Sequence, residues 1–267
     1  MEINKNEIQK QIEILNKICP LEKGYCNSKR LVRQRFFENI ETEIQAYLLG
    51  FYVADGSLNE KRNTITIKVT EADKEIPELY KYISPDARFV TNKPFTMIGT
   101  SGKEIHVKSA VRIDISNKKL GSTLTSFGYG QQKTYKELHL PKLSNELMLH
   151  FIRGYFDGDG SFMLYVREPN AKNREKNPRI AVKIEWTSKT KSLLLEIQGF
   201  LQNYGIASYL SERQGVYRLT IHKREFVKKI HNLFYKDCHF CLGRKKIKFD
   251  YYVNTEESQI ITDLRNA

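Results

Sequence analysis

The strongest constraint on this chain is that it contains the same stretch twice. "LLGFYVADGSL" (48–58) closes an apolar run on an acid, a glycine and a serine, and "IRGYFDGDGSF" (152–162) does so again. Aligned without gaps, Gly50 falls on Gly154, Asp55 on Asp159, Gly56 on Gly160 and Ser57 on Ser161, an offset of 104 residues. Solenoid repeats have periods of about 20–50 residues, so an offset this long marks a duplicated domain.

The likeness continues downstream. "TITIKVTEADKE" (64–75) and "IPELYKYI" follow the first acid; "RIAVKIEWTSKTK" (179–191) and "SLLLEIQGFLQNYGI" follow the second. "VRIDISNKKLGSTLTSFG" (111–128) parallels "YRLTIHKREFVKKIHNLF" (217–234). Alternating apolar residues mark strands and helical spacing marks helices. The expected fold class is therefore α+β, with two pseudo-symmetric αββαββα half-domains and antiparallel sheets. The half-domains are expected at 41–136 and 148–250, with a helical extension at 1–40, a linker at 137–147 and a tail at 251–267. The second half carries an extra charged loop, "REPNAKNREKNPR". Thr42 with Gln45 forms a capping box ahead of the first motif helix; after Pro141, Ser144 or Asn145 can cap the second. The extension, with "SKRLVRQRFF", reads equally as a DNA-contacting arm or as a packing element.

Small residues line one side of each motif helix: Ala46, Gly50 and Ala54 in the first, Gly154 and Gly158 in the second. Residues four apart share a helix face, and a stripe without bulk lets two backbones approach closely. In a duplicated chain the stripes predict two parallel-facing motif helices packed across a pseudo-twofold axis. Asp55 and Asp159 would then meet at the same end of the pair. Each precedes a helix-stopping glycine and lies against a helix C-terminus, which already carries about half a negative charge. A divalent cation resolves that conflict, with the two carboxylates and backbone carbonyls such as those of Ala54 and Gly158 as hard ligands. One copy would read as a helix cap; two read as a shared metal site.

Four segments alternate in polarity. Thr64, Thr66, Lys68 and Thr70 interleave with Ile65, Ile67 and Val69, and Arg112, Asp114 and Ser116 with Val111, Ile113 and Ile115. Arg179, Ala181, Lys183 and Glu185 interleave with Ile180, Val182, Ile184 and Trp186, and Arg218, Thr220 and His222 with Tyr217, Leu219 and Ile221. Each sheet should bury one face under helices and leave a polar face open. Here composition matters. Forty-four Lys and Arg against 31 Asp and Glu leave a net charge of +13 and a pI near 9.4, which favours a polyanionic partner. That partner can be nucleic acid or acidic lipid, and no apolar run approaches the roughly 18 residues of a membrane span. Thr64, Thr66, Lys68, Arg112, Arg179, Lys183, Arg218 and Thr220 are the expected contacts to base edges and phosphates of double-stranded DNA.

"MEINKNEIQK" carries no apolar signal core, which predicts an intracellular, soluble protein. In a reducing compartment the four cysteines, Cys19, Cys26, Cys238 and Cys241, are not expected to form structural disulfides. "CHFC" has CxxC spacing, but Cys19 and Cys26 are separated by six residues, so ordinary thiols are favoured over zinc.

"LLGFYVADG" and "IRGYFDGDG" resemble the two signature helices of LAGLIDADG homing endonucleases in their single-chain, two-repeat form, over roughly residues 36–250. The resemblance implies saddle-like sheets lying in the major groove and motif acids binding divalent metal over the minor groove. Carried over, those acids are Asp55 and Asp159. Asp157 matches an earlier acid of the motif whose partner in the first repeat is Val53, a position read as structural. The resemblance also implies polar and basic residues near the scissile phosphates. Glu71 and Ser188 are the aligned polar pair; Lys133 in "GQQKT" and Lys245 in "GRKKIK" are the basic candidates, expected to stabilise the pentacovalent transition state. The implied activity is Mg²⁺-dependent hydrolysis of both strands at a long, roughly pseudo-palindromic site, with Mn²⁺ substituting and short 3′ overhangs as product. A monomer is expected. The alternative is a non-cleaving intron RNA maturase or DNA-binding regulator on the same scaffold. The ends of the chain, Met1 and "DLRNA", favour a free-standing protein over the nuclease domain of an intein.

Overall fold

The computed structural model describes residues 5–24, 30–99, 102–169 and 177–266. Two compact units divide the chain: Met1–Lys133 with Leu143–Gly154, and Thr134–Lys142 with Tyr155–Ala267.

The first unit opens with α1 (Lys5–Ile18) and a short pair, β1 (Glu22–Lys23) and β2 (Leu31–Val32). The motif helix α2 (Glu43–Asp55) leads directly into β3 (Gly56–Asn59) and β4 (Thr64–Thr70). Helix α3 (Glu75–Leu79) follows, then β5 (Phe89–Asn92), a hairpin of β6 (Phe95–Ile98) and β7 (Glu104–Val107), β8 (Ala110–Ser116) and α4 (Lys118–Ser126). The second motif helix, α5 (Asn145–Asp159), gives its first ten residues to this unit and the rest to the next. The second unit continues with β9 (Gly160–Arg167), β10 (Arg179–Ser188), α6 (Lys191–Gln202), β11 (Tyr209–Arg213), β12 (Val216–Ile221), α7 (Arg224–Phe234), α8 (Gly243–Asn254) and α9 (Glu257–Asn266).

Both sheets are antiparallel and share one topology, β3-β4-β8-β5 in the first and β9-β10-β12-β11 in the second. The αββαββα order expected from the repeat is therefore present in each half. Register equates the two: Gly56 faces Ile67, which faces Ile113, while Gly160 faces Trp186, which faces Leu219. The halves differ where sequence pattern was weak. Helix α3 passes into a 3-10 turn at Tyr80–Tyr82 and stays far shorter than α6. Periodicity assigns no element to 94–108, yet the β6–β7 hairpin stands there and leaves Phe95, Met97 and Ile105 exposed. Residues 170–176 of the charged loop lie outside the described residues.

Part of the extension is packed into the first unit. Leu15, Cys19, Val32, Phe36 and Phe37 are buried. Arg33, also buried, donates to the carbonyls of Leu15 (3.2 Å), Cys19 (2.8 Å) and Tyr82 (3.0 Å) and to Asn16 Oδ1 (2.7 Å). A guanidinium with its donors so taken up loses little by burial. The segment after 251 is ordered as well: Glu257 accepts from Ile180 N (3.2 Å) and both Arg224 Nη atoms (2.9 and 2.8 Å), and Ile260 is buried. In the linker, Leu140 N and His139 reach Glu196, and Ser192 donates to the carbonyl of Leu138 (2.7 Å), tying it to α6. Among the described residues no helix is long and apolar enough to cross a membrane.

Candidate functional site

Helix α2 starts with the expected capping box: Thr42 Oγ1 accepts from Gln45 N, and Gln45 Oε1 accepts from Thr42 N (3.1 Å). Gln45 is buried and its amide also donates to the carbonyls of Phe36 (2.6 Å) and Asn39 (2.9 Å), so the cap joins extension to helix. Residues 43–53 are all buried, apolar on nearly every side, as a central helix requires. At the far end the acid is the last helical residue and the glycine the first strand residue, in both repeats. Gly56 has φ −75°, which any residue can adopt. Its role is steric: a Cβ there would lie 2.7 Å from the carbonyl of Tyr52 and closer still to its ring. At Gly160 a Cβ would meet Phe156, four residues back, in the same way. Glycine lets the strand leave over the preceding aromatic ring, which leaves Asp55 exposed and Asp159 half-buried at the junctions.

Lys133 and Lys245 are buried beside these junctions. Lys133 Nζ donates to the carbonyl of Gly56; Lys245 Nζ donates to those of Phe156, Asp157 (2.8 Å) and Gly160 (2.6 Å). Gly56 and Gly160 are the same repeat position, so the two amines make the same contact. Each also lies over the corresponding ring, Lys133 over Tyr52 at 5.2 Å and Lys245 over Phe156 at 4.8 Å. Spacing from the preceding glycine would instead pair Lys133 with Lys246. That amine turns away to the carbonyl of Tyr235 (2.5 Å) and to Asp250 (3.4 Å). An ammonium among the final carbonyls complements the negative helix end. The electrostatic conflict read from the sequence is thus partly relieved by the chain itself. Lys245 is held there by the main chain. Its three N–H donors are taken by main-chain carbonyls, so it acts there by charge and by fixing the helix end.

Asp157 is buried, accepting from Tyr235 Oη (2.6 Å) and Leu242 N (2.7 Å); its counterpart Val53 is buried and apolar. Glu71 and Ser188 are not equivalent positions. Four residues beyond Ile67 stands Glu71, but four beyond Trp186 stands Thr190, whose hydroxyl pairs with Ser188 Oγ at 3.0 Å.

The small-residue stripe places α5 directly on α2 within the first unit. A Cβ on Gly154 would lie 3.0 Å from Phe51 N and closer to the carbonyl of Tyr47, with Ala46 and Gly50 buried in the same helix. An ion pair that sequence reading missed locks this register: Arg153 Nη2 lies 2.6 Å from Glu43 Oε1, both buried, with the guanidinium 5.5 Å from the Tyr47 ring centre. Two oppositely charged residues 110 apart carry no local signal. Arg153→Ala would leave Glu43 buried without this partner and is expected to cost about 3–5 kcal/mol. Urea unfolding checks this, with Glu43→Leu combined with Arg153→Met expected to recover much of the loss.

The polar faces are placed as expected in the first sheet. Thr64, Thr66, Lys68 and Arg112 are at least partly exposed, while Ile65, Ile67, Val69, Val111, Ile113 and Ile115 are buried. Thr66 Oγ1 donates to Asp114 Oδ1 (2.7 Å), whose other oxygen lies 3.1 Å from Arg112 Nε. In the second sheet Arg179, Lys183 and Arg218 have solvent access, but Thr220 does not. It is buried opposite Glu185, and its hydroxyl donates to the carbonyl of Tyr209 (3.2 Å), so Thr220 leaves the expected DNA-contact set. Glu185 is paired with Lys183, and a buried acid and hydroxyl facing each other interrupt the alternation there.

The carboxylates of Asp55 and Asp159 are hard oxygen donors at helix ends, a chemistry that fits a divalent cation. Zinc fits poorly. Among the described residues no three His, Cys, Asp or Glu side chains gather as a ligand set, and burial pushes the Cys19 thiol up to about 11, away from the thiolate zinc requires. Cys26 lies outside the described residues.

The LAGLIDADG-like domain family matches residues 146–234, from α5 to the end of α7. Among solved structures the chain is similar to the LAGLIDADG meganuclease I-AabMI bound to uncleaved DNA, with TM-score 0.53 and 13% identity over 82% of this chain and 91% of that one. The I-LtrWI LAGLIDADG homing endonuclease bound to target DNA gives TM-score 0.51 at 13% identity, covering 84% and 97%. The homing endonuclease I-WcaI bound to its DNA recognition sequence gives 0.50 at 12%, covering 78% and 88%. Likeness at these identities is one of fold. No curated protein sequence matches the chain.

Proposed function

Because the chain carries a LAGLIDADG-like domain in its second half and the LAGLIDADG meganuclease fold across both halves, we propose that it is a site-specific DNA endonuclease. The observation that carries this reading is the twin junction: a motif acid ending a helix, a glycine opening a strand, and a buried lysine on that glycine's carbonyl, in both repeats.

Asp55 and Asp159, with main-chain carbonyls such as those of Ala54 and Gly158, would hold divalent metal, Mg²⁺ with Mn²⁺ as a substitute. When bound, such a cation activates water and stabilises charge on the scissile phosphate. Lys133 and Lys245 fix the two helix ends and add positive charge beneath the acids. The open sheet faces, with Thr64, Thr66, Lys68, Arg112, Arg179, Lys183 and Arg218, bind duplex DNA as a monomeric, intracellular enzyme would. A net charge of +13 fits both specific and nonspecific DNA association. A non-cleaving regulator or intron RNA maturase would have no use for paired acids facing phosphates.

Incubating the purified protein with a randomised DNA library, in Mg²⁺ or in Ca²⁺, tests this directly. The expected result is Mg²⁺-dependent double-strand cutting within one long motif. A bound motif that is never cut would move the reading to a regulator, and no DNA enrichment would move it to structured RNA.

A further inference from the structure

The basic residues of the N-terminal segment divide between two jobs. Arg33 is buried among main-chain carbonyls and Arg35 lies 3.7 Å from Glu38. Arg30 instead lines a cavity of about 320 Å³ together with Arg62, Lys118, Asn63 and Ser116. Arg30, Arg62 and Lys118 are all exposed. The lining has one acid, Asp114, which is engaged by Thr66 and by Arg112. Three cations against one paired acid make an anion-attracting concavity, and Asn63 and Ser116 add hydrogen-bonding groups of the kind that meet phosphate oxygens.

The cavity is also held in shape. Asn63, at φ 48°, ends the tight β3–β4 turn, and its carbonyl accepts from Asn117 N (2.9 Å). Arg62 N donates to Asn59 Oδ1 (3.0 Å), which anchors the same turn. Asn117 itself is buried and caps α4 through Leu120 N (3.1 Å). Two of the cations therefore stand on fixed backbone, and the third comes from the segment leading into β2. Asp114 and Ser116 belong to the polar face of the first sheet, so the cavity continues that face outward.

We propose that this cavity is a phosphodiester site for the backbone of duplex DNA beyond the region that the first sheet reads, with Arg30 as the N-terminal segment's contribution. The inference rests on the endonuclease reading. A volume near the lower end of the ~300–1,000 Å³ typical of ligand sites suits one phosphate with its sugar rather than a base stack. Contacts of this kind position the protein without reading sequence.

The test compares wild type with Arg30→Ala/Arg62→Ala/Lys118→Ala, binding a long duplex of random sequence in Ca²⁺ over a range of salt. A second variant, Lys191→Ala/Lys223→Ala/Lys228→Ala, makes the same charge change at exposed positions elsewhere. Loss of one phosphate contact should lower the slope of log K against log[salt] by about 0.9, with affinity falling equally on specific and random sequence. Circular dichroism checks that both variants fold. Equal slope losses in the two variants, or no loss in the cavity variant, would overturn the proposal while leaving the endonuclease reading intact. Failure of the wild type to bind any duplex would overturn both. Inorganic phosphate provides the remaining arm: a phosphate-induced rise in Tm that the cavity variant lacks, with its DNA slope unchanged, would assign the cavity to free phosphate and also overturn the proposal.

Discussion

Asp55→Asn and Asp159→Asn are each expected to abolish double-strand cleavage while changing duplex binding by no more than a few fold. Asn preserves the size of the side chain and the helix-to-strand junction that Gly56 and Gly160 make possible. What it removes is a carboxylate charge at the place proposed to hold metal. Loss of a metal ligand that stabilises a transition state by about 4 kcal/mol corresponds to a rate loss of roughly a thousandfold. Asp157 supplies the internal control. It is an acid of the same motif, but it is buried and accepts from Tyr235 and Leu242. Asp157→Asn should therefore show itself first as lower stability, because one of its two acceptors becomes a donor facing a donor. Cleavage in Mg²⁺ and binding in Ca²⁺, measured side by side with urea unfolding, separate these outcomes. A variant at Asp55 or Asp159 that still cuts both strands at the wild-type rate would refute the role given to the acids.

Gly154→Ala should unfold or inactivate the protein, although it adds only one methyl group. That methyl would lie 3.0 Å from Phe51 N and nearer to the carbonyl of Tyr47. Both are backbone atoms of a buried helix, so no side chain can rotate to make room, and α5 would have to withdraw from α2. Overpacking a well-packed core costs about 1–3 kcal/mol, and a clash with fixed backbone belongs above that range. Withdrawal would also pull Arg153 from Glu43. Gly199→Ala, in the interior of α6 with open space around the added methyl, is the matched comparison. It should stabilise the fold by about 0.5–1 kcal/mol, since glycine costs about that much in a helix interior. Thermal unfolding of the two variants reads the contrast, and a Gly154→Ala protein as stable as wild type would refute the close approach.

Much of the architecture was legible because duplication doubles every weak signal. Alternation in residues 64–70 and 111–116 placed β4 and β8, and the Thr42–Gln45 box placed the start of α2. Where the halves diverge the pattern failed. Among the described residues the β6–β7 hairpin has no counterpart in the second half, and α8 and α9 follow the last shared element. Thr220 was misplaced for a different reason: period-two alternation cannot register that a polar position is covered by its cross-strand neighbours.

The sequence by itself determined the duplication, the order of elements in each half, and the two acids at matching helix ends. These depend on short-range periodicity and on residue identity at a fixed offset, which survive without coordinates. Only the tertiary structure decided that Lys133 and Lys245 each reach the carbonyl of the repeat glycine, that Arg153 and Glu43 pair, and that the N-terminal segment is packed through Arg33 while Arg30 lines a cavity. Each of these joins residues far apart in the chain. Which amine reaches a given carbonyl is set by where a helix or turn begins in space, and no local pattern carries that information.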